Sequence, residues 1–243
     1  MNEAFNVDCM EYMRTLPDHA FDLAVVDPPY GDGSGGNPER FGGRFDRYKG
    51  CNLRAGGGTW GKKYGNQAVA WDVAPPPEYF AELFRVSRNQ IIWGGNYFAL
   101  PPCRCFLVWR KLSISEAFSM AMVEYAWTSF KGENAKLFEC TPQGKKDDQR
   151  FHPTQKPVAL YSWIFRSYAT PGMKILDTHL GSGSSRIAAF NAGLDFVGCE
   201  IDPDYFRLQE ERFARATAQC RLFFDEPTKT EQLNLLEGAD HDR

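Results

Sequence analysis

The chain has 243 residues, 43% of them hydrophobic and 24% charged, with a formal net charge of −3. That is apolar material for one large domain, or one domain with an insertion; no apolar run approaches the length of a membrane span, and no basic, apolar leader opens the chain. Seven scattered cysteines, an odd number, fit a reducing cytoplasm and argue against a disulfide framework; Cys103-Arg104-Cys105 is the only close pair, so no metal site is expected.

The net charge conceals a pattern. Arg40 to Lys63 holds seven bases (Arg40, Arg44, Arg47, Lys49, Arg54, Lys62, Lys63) against one acid, Asp46. The tail from Asp225 to Arg243 holds six acids and two bases, so the body without it stands at −3 + 4 = +1. A local basic stripe matters more for phosphate contact than the total does.

In chain order, a short strand is expected at residues 4–7, ending at Asp8, then a short helix from Met10 to Leu16. Phe21-Asp22-Leu23-Ala24-Val25-Val26 reads as a buried strand. The prolines of Asp27-Pro28-Pro29-Tyr30 end it, because they donate nothing to a ladder. An acid, a fixed carbonyl and an aromatic ring are thus presented at the carboxyl end of a strand, where open α/β sheets bind ligands.

That set fits an exocyclic amino group on a planar ring. Asp27 and the Pro28 carbonyl can each accept one of its two N–H hydrogens, which favours a tetrahedral nitrogen with its lone pair pointing outward. The carboxylate then stabilises the positive charge the nitrogen gains on attack. Tyr30 offers a flat face for stacking. A plain turn at a strand end also accounts for Asp and Pro here.

Gly31 to about Gln67 is rich in Gly, Arg and Asn and includes Tyr48, Trp60 and Tyr64. A stretch of that length and composition suits a segment that orders on nucleic acid; a surface insertion is the plainer reading. A helix is expected from Glu78 to Val86. Buried strands follow at Gln90–Trp93, leading into Gly94-Gly95-Asn96-Tyr97-Phe98, and at Cys105–Trp109, leading into Arg110-Lys111. A third spans Val123–Phe130, with Glu124 at a strand position. Residues 131–151, which include Lys145-Lys146-Asp147-Asp148, read as a loop or small insertion.

The second half changes character. His152-Pro153-Thr154-Gln155-Lys156-Pro157 opens a helix from about Val158 to Tyr168. The strand Lys174–Asp177 precedes Gly181-Ser182-Gly183-Ser184-Ser185 and a helix from Arg186 to Ala192, stopped by Gly193. The strand Phe196–Glu200 and a helix from Asp204 to about Ala218 complete the set. Gly181 and Gly183 permit a tight turn through which backbone amides approach a ligand. Glu200 lies 23 residues after Asp177, at the end of the next strand, where a carboxylate accepts hydrogen bonds from ribose hydroxyls. Arg186 replaces the third glycine of the dinucleotide pattern, which suits a nucleoside ligand better than a pyrophosphate.

Asp27-Pro28-Pro29-Tyr30, then His152 to Pro157, then Asp177 to Gly183, then Glu200, resembles the amino-group DNA methyltransferases, in the order of their beta class. The resemblance covers roughly Asn6 to Phe213 and includes Asp8, Trp93 to Tyr97 and Trp109-Arg110-Lys111. It implies a Rossmann-like S-adenosylmethionine-dependent methyltransferase fold: α/β, circularly permuted, a mixed sheet with helices on both faces. It implies catalytic roles for Asp27, Pro28, Pro29 and Tyr30. For S-adenosylmethionine it implies Asp177, His179, Gly181, Ser182 and Gly183 around the methionine part, Glu200 on the ribose and Asp8 on the adenine ring. Asp27, Thr154 and Lys156 are expected at the methionine end.

The partner it implies is duplex DNA with the target base flipped out; the basic stripe makes Arg40, Arg44, Arg47, Lys62 and Lys63 the expected DNA contacts. A homodimer is also among the expectations, since family members are often dimeric. One catalytic domain is expected over residues 1–220, with insertions at about 31–70 and 131–151 and an acidic tail at 221–243. Thr178-His179 stands where the family usually has Pro-Phe, and Arg110 where an acid or amide is more usual. Asp at the first position of the tetrad points to adenine N6, with cytosine N4 as the alternative and a cofactor-binding regulator without activity behind it. A carbon-5 cytosine enzyme would need a cysteine nucleophile; Cys103 lacks the context.

Overall fold

The structure, a computed structural model, describes residues 1–31, 73–116, 121–142 and 150–224. The bases Arg40, Arg44, Arg47, Lys62 and Lys63, most of the 31–70 stretch and the tail beyond Phe224 lie outside the described residues.

The strands are β1 Asn2–Asn6, β2 Phe21–Val26, β3 Ser87–Trp93, β4 Phe106–Lys111, β5 Val123–Thr128, β6 Lys136–Cys140, β7 Lys174–Asp177 and β8 Asp195–Glu200. The helices are α1 Cys9–Arg14, α2 Pro77–Val86, α3 Val158–Tyr168, α4 Ser184–Asn191 and α5 Pro203–Phe224. Among the described residues one sheet holds every strand, in the order β1-β8-β7-β2-β3-β5-β4-β6. Neighbours are parallel except where β5 runs against β3 and β4.

The central strands β2, β7 and β8 read as near-continuous apolar runs because both faces of the sheet are covered there. Leu23, Val25, Ile91, Trp93, Ile175 and Phe196 point to the side of α3 and α4, where Leu160, Ile164, Phe165 and Ala188 cover them. Ala24, Val26, Ile92, Leu176 and Val197 point to the other side, against Met13 of α1 and Tyr79, Leu83 and Val86 of α2. The period-two alternation within each strand sends successive residues to opposite cores.

β7 and β2 are neighbours at the centre, yet the chain leaves them in opposite directions. From β7 it passes through α4 to β8; from β2 it reaches β3 by way of α2. Their carboxyl ends therefore face a crevice at the point where strand order reverses. Asp27 follows β2 and Asp177 ends β7, so the two motifs meet although 150 residues separate them in sequence.

The loop expected at 131–151 gives way to β6. Lys136-Leu137-Phe138-Glu139-Cys140 alternates at period two and pairs in parallel with β4 from Leu107–Lys136 to Lys111–Cys140. Its flanking charges masked an edge strand, where charged residues are common. The last helix also runs to Phe224, past the expected end near Ala218.

Candidate active site

At the end of β2, the Tyr30 hydroxyl donates to Asp27 Oδ1 at 2.9 Å, and the Lys156 ammonium pairs with Asp27 Oδ2. Lys156 also lies 3.1 Å from Glu124 Oε2, and the other oxygen of Glu124 lies 2.5 Å from Lys111. The Lys156 ammonium stands 5.5 Å from the Trp93 ring centre. Burial pushes the Asp27 carboxyl upward while the Lys156 ammonium opposes it. Burial alone would also raise Glu124; its two lysines outweigh that and hold it at about 2. Lys156 stays cationic because Asp27 and Glu124 outweigh its own burial.

Tyr30 is locked from a second side. Its ring stacks on Tyr97 at 4.7 Å and 12°, and Phe98 meets it edge-on at 6.2 Å. One face of the ring expected to receive a base is thus taken by Tyr97, which is itself 47% exposed. Gly94, at φ +68°, makes this packing possible: a Cβ there would lie 2.1 Å from Tyr30 Cε1.

The second half of the crevice is built on the glycine turn. Gly181 and Gly183 take φ of +51° and +75°, the left-handed region. A Cβ on Gly181 would come within 3.3 Å of the His152 ring, so the loop before α3 rests on this turn. Glu200 Oε2 accepts from the Gly181 amide at 2.7 Å and Oε1 from the Asp202 amide at 3.0 Å, which staples the turn to the end of β8. Asp177 accepts from Ser185 Oγ at 2.5 Å and from the His179 amide at 3.1 Å. Its burial pushes the carboxyl up to about 7. Ser182 is buried, with its Oγ 3.2 Å from that of Ser184. Asp8 caps α1, its Oδ1 accepting from Met10 at 2.7 Å and Glu11 at 3.1 Å. Because Asn6 pairs with Glu200, Asp8 stands at the same sheet end.

These groups suit a cationic nucleoside. Four carboxylates, Asp8, Asp27, Asp177 and Glu200, gather at neighbouring strand ends. Each oxygen of Glu200 accepts one amide and retains capacity for a hydroxyl. Both nearby histidines are neutral: burial lowers His152 to about 3 and His179 to about 4. No imidazolium therefore competes with a sulfonium.

His179 carries a testable consequence. When unfolded it titrates near 6.5, so between that value and about 4 the unfolded chain binds the extra proton and stability falls as pH falls. His179→Phe removes this loss. From pH 7 to pH 5 the variant should lose about 1–2 kcal/mol less stability than the parent in denaturant titrations. Equal losses would mean that folded His179 titrates normally.

The structure brings Asp8, Asp27, Tyr30, Lys156, Asp177, His179, Gly181, Ser182, Gly183 and Glu200 to one sheet end, with Thr154 beside them through its 3.2 Å contact with His152. It places Lys156 on Asp27, a contact no motif announced. Cys103 is elsewhere, its Sγ 3.1 Å from the Tyr125 hydroxyl. Glu124, Lys111 and Gly94 were given no role from sequence. Glu124 did carry a signal, since an acid in an otherwise apolar strand needs a partner. Among the described residues, no group of three or more His, Cys, Asp or Glu is placed to hold a metal ion. Nor is any helix among them long and apolar enough to cross a membrane.

Comparison with known proteins agrees with this geometry. A family of DNA methylases of the N6/N4 type matches residues 108–211. YubD of Escherichia coli (strain K12), which bears the name of a methylase, is 28% identical over 226 residues, 88% of this chain and 91% of that protein. The type II methyltransferase M2.MboI of Moraxella bovis is 27% identical over 151 residues, 61% of this chain and half of its own length. Among solved structures, the cytosine-N4-specific PvuII DNA methyltransferase aligns with a TM-score of 0.57 at 14% identity, covering 93% of this chain and 94% of that one. The M1.HpyAVI–SAM complex aligns with a TM-score of 0.50 at 19% identity, covering 87% and 98%. Those two likenesses bear on the fold. Taken together, fold, site and family match make the chain similar to the amino-group DNA methyltransferases of the N6/N4 kind.

Proposed function

We infer that the protein methylates the N6 amino group of adenine in duplex DNA. The observation that carries this reading is Asp27: an acid, rather than a serine, heads the Asp27-Pro28-Pro29-Tyr30 turn at the switch point. S-adenosylmethionine, when bound, supplies the electrophilic methyl group. Asp27 and the Pro28 carbonyl accept hydrogen bonds from the two amine hydrogens, Asp27 stabilises the charge that develops on nitrogen, and the one proton the methylated nitrogen sheds passes by way of Asp27 to water. Pro29 fixes the turn, and Tyr30 supports the flipped base.

For the cofactor, Glu200 takes the ribose and Asp8 the adenine end. Asp177, Gly181, Ser182 and Gly183 line the methionine part with His179, Thr154 and Lys156. The bases Arg40, Arg44, Arg47, Lys62 and Lys63 are assigned to the DNA backbone on charge alone. One catalytic domain over residues 1–220 is supported by the single sheet that joins Asn2 to Glu200.

Long-read sequencing of DNA from cells expressing the protein tests the reading. The expected mark is N6-methyladenine in one sequence context. N4-methylcytosine would move the enzyme to the alternative substrate, and an unmarked genome would support a regulator without activity.

A further inference from the structure

The charges behind Asp27 form a line of alternating sign: Lys111 on β4, Glu124 on β5, Lys156 before α3, then Asp27 after β2. The contacts are 2.5 Å from Lys111 to Glu124 and 3.1 Å from Glu124 to Lys156, with Lys156 closing on Asp27 Oδ2. The lysine side chains are only 7% and 4% exposed. Apolar residues of similar volume serve a fold as well as a buried ion pair does, so the line calls for an account beyond stability.

Asp27 faces conflicting demands. Buried carboxylates favour the neutral form, yet a protonated Asp27 would accept amine hydrogens poorly and stabilise little positive charge. A lysine devoted wholly to Asp27 would keep it ionised but would also repel the positive nitrogen. Glu124 shares that ammonium, and Lys111 in turn shares Glu124.

Resting on Asp27 as the acceptor of the amine hydrogen, we propose that Glu124 and Lys111 are positioning residues that act through Lys156. They hold its ammonium at Oδ2 while the Tyr30 hydroxyl holds Oδ1. The plane of the carboxylate is thereby fixed and its charge kept, without surrendering its field to one cation. The other titratable groups around Asp27 are Tyr161 of α3, whose hydroxyl is held protonated by burial, and Asp177 of β7, a like charge when ionised.

The test compares Glu124→Gln, Lys111→Met and Lys156→Met in the full chain, with circular dichroism and thermal unfolding to confirm folding. Two readouts are taken: the acid limb of kcat on duplex DNA, and the carboxyl carbon-13 titration of Asp27 without DNA, assigned through Asp27→Asn. Losing Glu124's charge gives Lys156 wholly to Asp27, so its midpoint should fall by about one pH unit. Losing Lys156 leaves two facing carboxylates, so the midpoint should rise by about one unit or more, with Lys111→Met rising less. Glu124→Gln should also lower kcat and leave KM for the cofactor nearly unchanged.

A midpoint unmoved by Glu124→Gln, or moved the same way as by Lys156→Met, overturns the proposal. If Lys156→Met fails to fold, the near-isosteric Glu124→Gln and Lys111→Met still decide by the opposite signs of their shifts. Should the parent methylate no DNA, the functional reading fails, while the carbon-13 titration still judges the charge line.

Discussion

Asp27→Ala will lower methyl transfer by about 10³-fold or more while S-adenosylmethionine still binds within a few-fold of normal. The asymmetry follows from geometry. Asp27 ends β2, whereas the glycine turn, Asp177 and Glu200 belong to β7 and β8, and their mutual bonds do not pass through Asp27. The variant also leaves the Lys156 ammonium facing the site with Glu124 as its remaining charged partner. A cation balanced by Glu124 alone would oppose the charge that the amine nitrogen gains. Single-turnover assays with separately measured cofactor affinity provide the check. Turnover near the parent's would remove Asp27 from the chemistry.

Gly94→Ala will also cost activity, though less, from a residue that touches no reacting atom. The added Cβ would sit 2.1 Å from the Tyr30 ring, and φ of +68° suits no alanine. Tyr30 must move, and with it the hydroxyl that holds Asp27 Oδ1. A displacement of this size costs about 10²-fold in turnover, and the strain about 2–4 kcal/mol of stability. The double variant Gly94→Ala/Tyr30→Ala supplies the control. Because the clash goes with the ring and only the left-handed φ, about 1 kcal/mol, still opposes alanine, its stability should lie within about that much of Tyr30→Ala, giving a large coupling energy. Simple additivity would place the glycine's importance elsewhere than against Tyr30.

Much of this site was legible in the sequence because its parts are local. The run into Asp27, the Gly181–Gly183 turn and the acid at the end of the next strand each declare themselves within a few residues. Their strands must also be central, since they are apolar on both faces. What stayed hidden was convergence. Lys156 reaches Asp27 from a loop 129 residues away, and Glu124 and Lys111 reach Lys156 from two strands whose pairing no local pattern states. Gly94 read only as part of the segment that follows a strand, and its specific reason, the ring of Tyr30, lies on another strand end. β6 was missed because Lys136 and Glu139 interrupt its short apolar run within a polar stretch, which resembles a loop.

The pairing of β2 with β7 bears on when the enzyme comes into being during its own folding. Leu23 meets Ile175 and Ala24 meets Leu176, so the two halves of the centre join only after a closure spanning nearly the whole catalytic region. Closing so long a loop is entropically unfavourable until strand contacts offset it, and sheets dominated by distant pairings fold slowly. A nascent chain ending before Lys174 has the acid and the ring but not the strand that sets them opposite the glycine turn. Catalytic competence and completion of the central sheet are therefore one event.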